Sequence, residues 1–178
     1  EADSKHRYSV ACVDSLDPKG RGVLTCGDHV PAEALPKEKQ ADPLFYDPKA
    51  LASAPPFLPR GLLNKFTVRA FNEAWYRKAP KHRVGELQEI APFFHPLDGV
   101  QDWNRIYGPA GFLQYQFAVP NEAAHLVPRT LEALRKVGAP SFLTVLKRFG
   151  PSNPAPLSFP IPGWTLAVDV PAALPGLL

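Results

Sequence analysis

The sequence has few cysteines, no methionine, no long apolar run and little net charge, and each shortage removes a class of protein. Its two cysteines, Cys12 and Cys26, make neither a disulfide framework nor a zinc site, which normally draws four ligands at short paired spacings. A reduced compartment is the default. Both cysteines fall in one hairpin and could lie nearly opposite each other, but the distance window for a disulfide is narrow and such a bridge would be strained. The five histidines show no metal-ligand spacing, so no metal site is expected. Lys and Arg number 20 against 17 Asp and Glu, interleaved along the chain, and no basic stripe marks a nucleic-acid surface. No apolar run reaches the roughly 18 residues of a transmembrane helix. No glycine-rich phosphate loop opens a helix, and no G-x-S-x-G elbow or other nucleophile stands out. The first ten residues, EADSKHRYSV, have neither an apolar stretch nor a starting methionine, so no signal peptide is read there and the chain reads as an excerpt of something longer.

What the sequence does have is length enough for one domain and an excess of proline, 22 in 178 residues. At this size a single core can bury roughly 70% of the unfolded surface, so no staple is needed. Residues 7–14 and 21–28 are β-rich runs around the turn Asp17-Pro18-Lys19-Gly20, which predicts an antiparallel hairpin. Between Pro31 and Arg60 seven prolines and few periodic apolar residues predict a long extended or mobile loop. Asn64 can cap a helix running to about Lys78, with Phe66, Ala70, Phe71, Ala74 and Trp75 as its apolar stripe. Residues 83–91 and 112–119 read as strands, with a turn at Phe94 to Asp98. A helix capped by Asn121 and closed by Gly138 carries Pro128 inside it, which predicts a kink. Strands at about 142–149 and 164–170 follow, joined by GPSNPAPLSFPIPG. This order predicts an α+β fold, an antiparallel β-sheet with helices packed on one face.

Chemistry is sought where alternation is broken. Leu143, Val145, Lys147 and Phe149 share one face of a strand, so a single long cation sits on an otherwise apolar surface. A pocket with apolar walls and a few polar groups is the natural setting for it, while a strand-end lysine reaching water is the plain alternative. Lys147 would suit an anionic or polyhydroxylated ligand. Gln114 and Gln116 share a face of the strand GFLQYQF, where two amides can donate and accept hydrogen bonds; such a pair fits sugar hydroxyls, and a solvated sheet face would show the same pattern. Thr165, Ala167 and Asp169 form a small polar face on the last strand, equally compatible with solvent or a pocket wall.

The segments HPLDGVQDWNRIYGPAGFLQYQF (95–117) and LKRFGPSNPAPLSFPIPGWTLAVDVP (146–171) resemble the FAD-linked oxidases related to decaprenylphosphoryl-β-D-ribose oxidase, in the vanillyl-alcohol-oxidase-like superfamily. Weaker likeness runs through NEAWYRKAP and back to RYSVACVD. The resemblance implies that residues 1–178 are a substrate-binding cap domain, with FAD held mainly by a separate domain. It implies hydride removal from the C2 hydroxyl of a polyprenyl-phosphoryl ribose to give a ketone. A partner short-chain reductase would complete epimerisation to an arabinose-type cell-wall arabinan precursor. It carries substrate-pocket roles onto Gln114, Gln116, Leu143, Val145, Lys147 and Phe149, with Leu97 near the rim and Thr165 at the pocket edge, and makes 31–60 a mobile loop over the site. The family's catalytic lysine would lie beyond Leu178, so no catalytic residue is assigned and the chain alone is expected to be inactive. Mycobacterial members carry Asn and Cys at the positions of Thr165 and Ala167, Tyr at that of Phe94, and Trp at that of Cys12. Substrate identity is therefore open, and the alternatives are a flavin oxidase of another polyol or sugar, or a stand-alone ligand-binding module. A cytoplasmic location, with contact to a membrane surface through the loop, completes the expectation.

Overall fold

The hairpin forms where the sequence places it: β1 (Tyr8–Val13) and β2 (Gly22–Gly27) pair antiparallel, Tyr8 opposite Gly27 and Val13 opposite Gly22. The computed structural model describes residues 3–57 and 62–174. Its turn is fixed by charge as well as by Pro18 and Gly20. Asp14, buried, accepts from Arg21 Nε and Nη2 at 3.1 and 2.9 Å and from Asn72 Nδ2 at 2.7 Å. Arg21 also pairs with Glu73 at 2.6 Å. Asn72 and Glu73 belong to α2 (Lys65–Lys78), so this network clamps the helix to the hairpin. Asn64 caps α2 as expected, accepting from Phe66 N and Thr67 N, while Thr67 reciprocates in a capping box.

The helix does not bury the expected stripe. Phe66 is 85% exposed, and the buried positions are Val68 and Asn72. The polar Asn72 is buried because Asp14 needs its donor, an interaction that apolar periodicity does not register.

Five more strands and three more α-helices, with short 3-10 turns, make up the rest of the regular structure among the described residues. β3 (Ala52–Ser53) pairs in parallel with β4 (Val100–Gln101), and Arg105 donates to Ala54 O at 2.9 Å, so part of the proline-rich segment is tied down. That segment also contains α1 (Lys37–Gln40); residues 58–60 of the expected loop lie outside the described residues. Residues 83–91 do not form a strand. Gly85 adopts φ +75°, and Val84 and Leu87 stay exposed before α3 (Ile90–Phe94) begins; among the described residues no strand pairs with this segment and no buried face supports extension.

β5 (Phe112–Pro120), β6 (Thr144–Phe149) and β7 (Gly163–Pro171) complete a five-stranded sheet of order β2-β1-β6-β7-β5, every pair antiparallel. This is the α+β architecture the sequence implied. Alternation sorts its two faces. Leu166, Val168 and Val170 of β7, Val119 of β5 and Leu146 of β6 share one side and pack with Val127, Leu131 and Leu134 of α4 (Leu126–Val137). Each fully buried aliphatic of this kind contributes about 1.5–3 kcal/mol relative to exposure. Gly138 ends α4 in the left-handed region at φ +73°, its N–H returning to Leu134 O and Arg135 O. Pro128 does not kink α4. The helix starts at Leu126, which puts Pro128 in the first turn, where no amide donor is required of it. Asn121 instead opens a 3-10 turn (Asn121–Ala123) and makes no side-chain cap. Cys12 and Cys26 form no disulfide; Cys12 pairs with Val23 and Cys26 with Ser9, three positions apart and on opposite faces, which removes the bridge.

Candidate functional site

The face of the sheet turned away from α4 gathers most of the polar candidates through register. One cross-strand row reads Cys12, Val145, Ala167, Gln116; the next reads Val10, Lys147, Thr165, Ala118; Gln114 lies opposite Asp169. Directly opposed residues have Cβ atoms about 4.5–5.5 Å apart, so these side chains form one continuous surface. Phe149 follows Lys147 on the same face.

Lys147 is exposed, with its stem between Val10 and Thr165. Its charge reaches the Cys12 thiol: burial pushes that thiol above its ordinary value, and Lys147 acts in the opposite direction. Gln116 donates through Nε2 to Thr165 Oγ1 at 3.0 Å, and the Thr165 hydroxyl donates to Phe117 O at 2.9 Å. Gln114 donates through Nε2 to Asp169 Oδ1 at 2.8 Å.

Asp169 is wholly buried, and its Oδ2 has no hydrogen-bond partner among the described residues. Burial pushes its carboxyl up and the Gln114 bond opposes the shift. Tyr107, at the end of the 3-10 turn Trp103–Tyr107, is buried with its ring stacked on Phe112 at 4.5 Å between centroids. Its hydroxyl is also unpartnered among the described residues. Burial, and then the charge of Asp169, pushes the phenol above its ordinary value.

Of the eight residues singled out from sequence, Gln114, Gln116, Val145, Lys147, Phe149 and Thr165 are brought together on this face. Leu143 lies just before β6, its carbonyl accepting from Asp169 N at 3.2 Å, and Leu97 lies on the 3-10 turn Pro96–Gly99. These two line an apolar cleft of about 520 Å³, shared with Cys12, Val23, Phe71 and Trp103, which adjoins the polar face at Cys12. Thr165 is 1% exposed and its hydroxyl is already engaged, so it supports Gln116 from below and has no free surface for a ligand. Sequence reasoning placed Asp169 on the small polar face of the last strand without giving it a role, and left out Tyr107. The alternation that selected Thr165 also selects Asp169; Tyr107 carries no sequence signal, since its placement depends on packing against Phe112.

A second cleft, of about 600 Å³, meets the sheet at Tyr8, the other end of β1 from Cys12. Tyr8, His29, Phe45 and Phe94 line it together with part of the proline-rich segment. Tyr8 Oη and His29 Nε2 are 3.0 Å apart, and Lys39 pairs with Glu89 at 2.7 Å across it. Both clefts thus meet the sheet at its hairpin, and neither is lined by Lys147, Gln114 or Gln116. Chemically the sheet face offers one ammonium donor, two amides and apolar flanks, which is a surface for holding a polar ligand. No group of three or more metal-ligating side chains occurs among the described residues. None of the described residues forms a glycine-rich turn leading into a helix, so the side chains present do not make a dinucleotide-phosphate cradle. Among the described residues no helix is long and apolar enough to cross a membrane.

No family model matches the chain. It is 33% identical over 189 residues, 99% of its own length, to a Streptomyces coelicolor protein described as an uncharacterized protein in the mprA 5' region, of which it spans 50%. The chain thus spans half or less of the curated relatives it matches. Over 96% of its length, at 44% identity across 173 residues, it is similar to part of the decaprenylphosphoryl-beta-D-ribose oxidase of Mycolicibacterium smegmatis, covering 37% of that protein.

Proposed function

We propose that the chain is the substrate-binding domain of an FAD-dependent oxidoreductase that oxidises a sugar hydroxyl, C2 of a polyprenyl-phosphoryl ribose, to a ketone. The observation that carries this reading is the open sheet face that presents Lys147, Gln114 and Gln116 and adjoins an apolar cleft at Cys12, in a chain similar to an oxidase named for such a substrate. Bound flavin would accept the hydride, and the rest of the protein would hold it. The chain's own residues do the recognition. The Lys147 ammonium suits the phosphate as a point charge, the two amides suit hydroxyl groups, and Leu97, Leu143 and Phe149 give apolar contact beside them.

The test uses the full-length protein. It should be yellow and should oxidise a ribosyl phospholipid, and Lys147→Ala should raise KM more than it lowers kcat, because the lysine binds and does not react. An unchanged KM would take Lys147 out of the site. A colourless full-length protein that binds the lipid without oxidising it would point to a binding module, and equal turnover of lipid-linked and free sugars would point to another polyol as substrate.

A further inference from the structure

We infer that Thr165 and Asp169 are positioning residues that fix the polarity of Gln116 and Gln114, turning both amide oxygens outward so that the face reads the hydroxyl hydrogens of its ligand. A glutamine amide has an accepting and a donating end of nearly equal shape, and only its partners decide which end faces the ligand. For Gln116 the decision is forced. The Thr165 hydroxyl has one hydrogen, and at 1% exposure it gives that hydrogen to Phe117 O at 2.9 Å. Toward Gln116 it can only accept, so the NH2 end must point down to it at 3.0 Å and the carbonyl must point up.

For Gln114 the partner is a carboxyl oxygen at 2.8 Å on a side chain with no exposure. Ionised, Asp169 only accepts. In that state the NH2 end of Gln114 must face Asp169 and its carbonyl faces outward. Neither amide oxygen has a partner among the described residues.

The consequence is a surface with a fixed sign pattern: two acceptors about 6.5 Å apart along β5 and one cationic donor, Lys147, two strands away. Such a surface fits a ligand carrying hydroxyl hydrogens beside an anionic group. It rejects an analogue that offers acceptors where those hydroxyls were, because two carbonyl oxygens would meet lone pairs with no hydrogen between them. The identity of the ligand rests on the sugar-oxidase reading above; the polarity itself does not.

The first arm of the test therefore needs no ligand. In the full-length protein with ¹⁵N-labelled glutamine, one Nε2 hydrogen each of Gln114 and Gln116 should exchange with water about fivefold or more slowly than a free amide, the factor expected of one ordinary net hydrogen bond. Thr165→Val, which keeps the shape and removes the acceptor, should abolish the protection at Gln116 and leave that at Gln114, and Thr165→Ser should restore it. Protection at Gln116 that survives Thr165→Val would overturn the inference. The second arm compares ribosyl phospholipids lacking the C3 hydroxyl with those carrying fluorine in its place, since C3 does not react. The fluoro compound should bind as weakly as the deoxy compound, and Thr165→Val should reduce the discrimination between hydroxyl and fluorine. A fluoro compound that binds as tightly as the parent would overturn the outward-oxygen assignment. Should the amide signature hold while no ribosyl lipid binds, the polarity stands and the substrate reading fails.

Discussion

Burial raises the carboxyl of Asp169 above its ordinary value, with Gln114 as the opposing influence, and the direction of the stability effect follows from which state holds the proton. The folded protein keeps that proton to higher pH than the unfolded chain. This residue's contribution is therefore most favourable below the ordinary carboxylate range and declines as pH rises through the folded value. Asp169→Asn, close in shape and unable to ionise, should raise Tm over the parent at pH 8, and the gain should shrink toward pH 4. An equal Tm difference at both pH values would show that ionisation is not its source. Lys147 has a measurable local effect of its own, because its charge counteracts the burial that raises the Cys12 thiol. With Lys147→Met the thiol should rise further and alkylation of Cys12 by iodoacetamide should slow severalfold near pH 8. A faster reaction would mean that the lysine shields Cys12 sterically more than it stabilises the thiolate.

The elements show where sequence is informative. Gly163, the first residue of β7, has no room for a methyl group: a Cβ there would overlap Val119 O and approach Pro120 Cα at 2.8 Å. Gly163→Ala should force β5 and β7 apart at that end and cost about 1–3 kcal/mol, as overpacking does, which thermal or urea unfolding would register. The strands were legible because a period of two is rigid: once β6 is extended, Leu143, Val145, Lys147 and Phe149 cannot leave one another's phase. The cap of α2 was legible because Asn64 and Thr67 act within four residues. Three features were not. Asn72 is buried for a partner 58 residues away. Pro128 was harmless only because the helix begins two residues before it, a boundary that periodicity does not fix. The engagement of Thr165 depends on the pairing of β7 with β5, which places its hydroxyl by Gln116 and Phe117 nearly 50 residues off. Alternation could find the face. It could not say which of its residues present themselves and which hold the others in place.

On the scale of the whole molecule, the sheet uses its two sides differently. One is closed by α4 over Val119, Leu166, Val168 and Val170; the other carries Gln114, Gln116 and Lys147 in the open, with Asp169 buried beneath. Conservative changes under α4 should therefore lower Tm while leaving ligand affinity of the folded full-length protein unchanged. Leu131→Ala is the simplest case; because Leu131 is partly buried against that core, the expected cost is about 1–2 kcal/mol, below the range of fully buried large-to-small changes. A matching loss of affinity at a temperature well below unfolding would mean that the two sides are coupled.

The strand order β2-β1-β6-β7-β5 has one more consequence, for synthesis on the ribosome. The hairpin emerges well before β6, but the inner edge of β1 is meant for β6, and Val10 pairs with Lys147. At the usual 5–20 residues per second, that edge waits on the order of ten seconds for its partner. During that interval an unpaired strand invites association with other chains. Nascent chains stalled short of Thr144 should engage holding chaperones, and release should follow once β6 and β7 have cleared the exit tunnel.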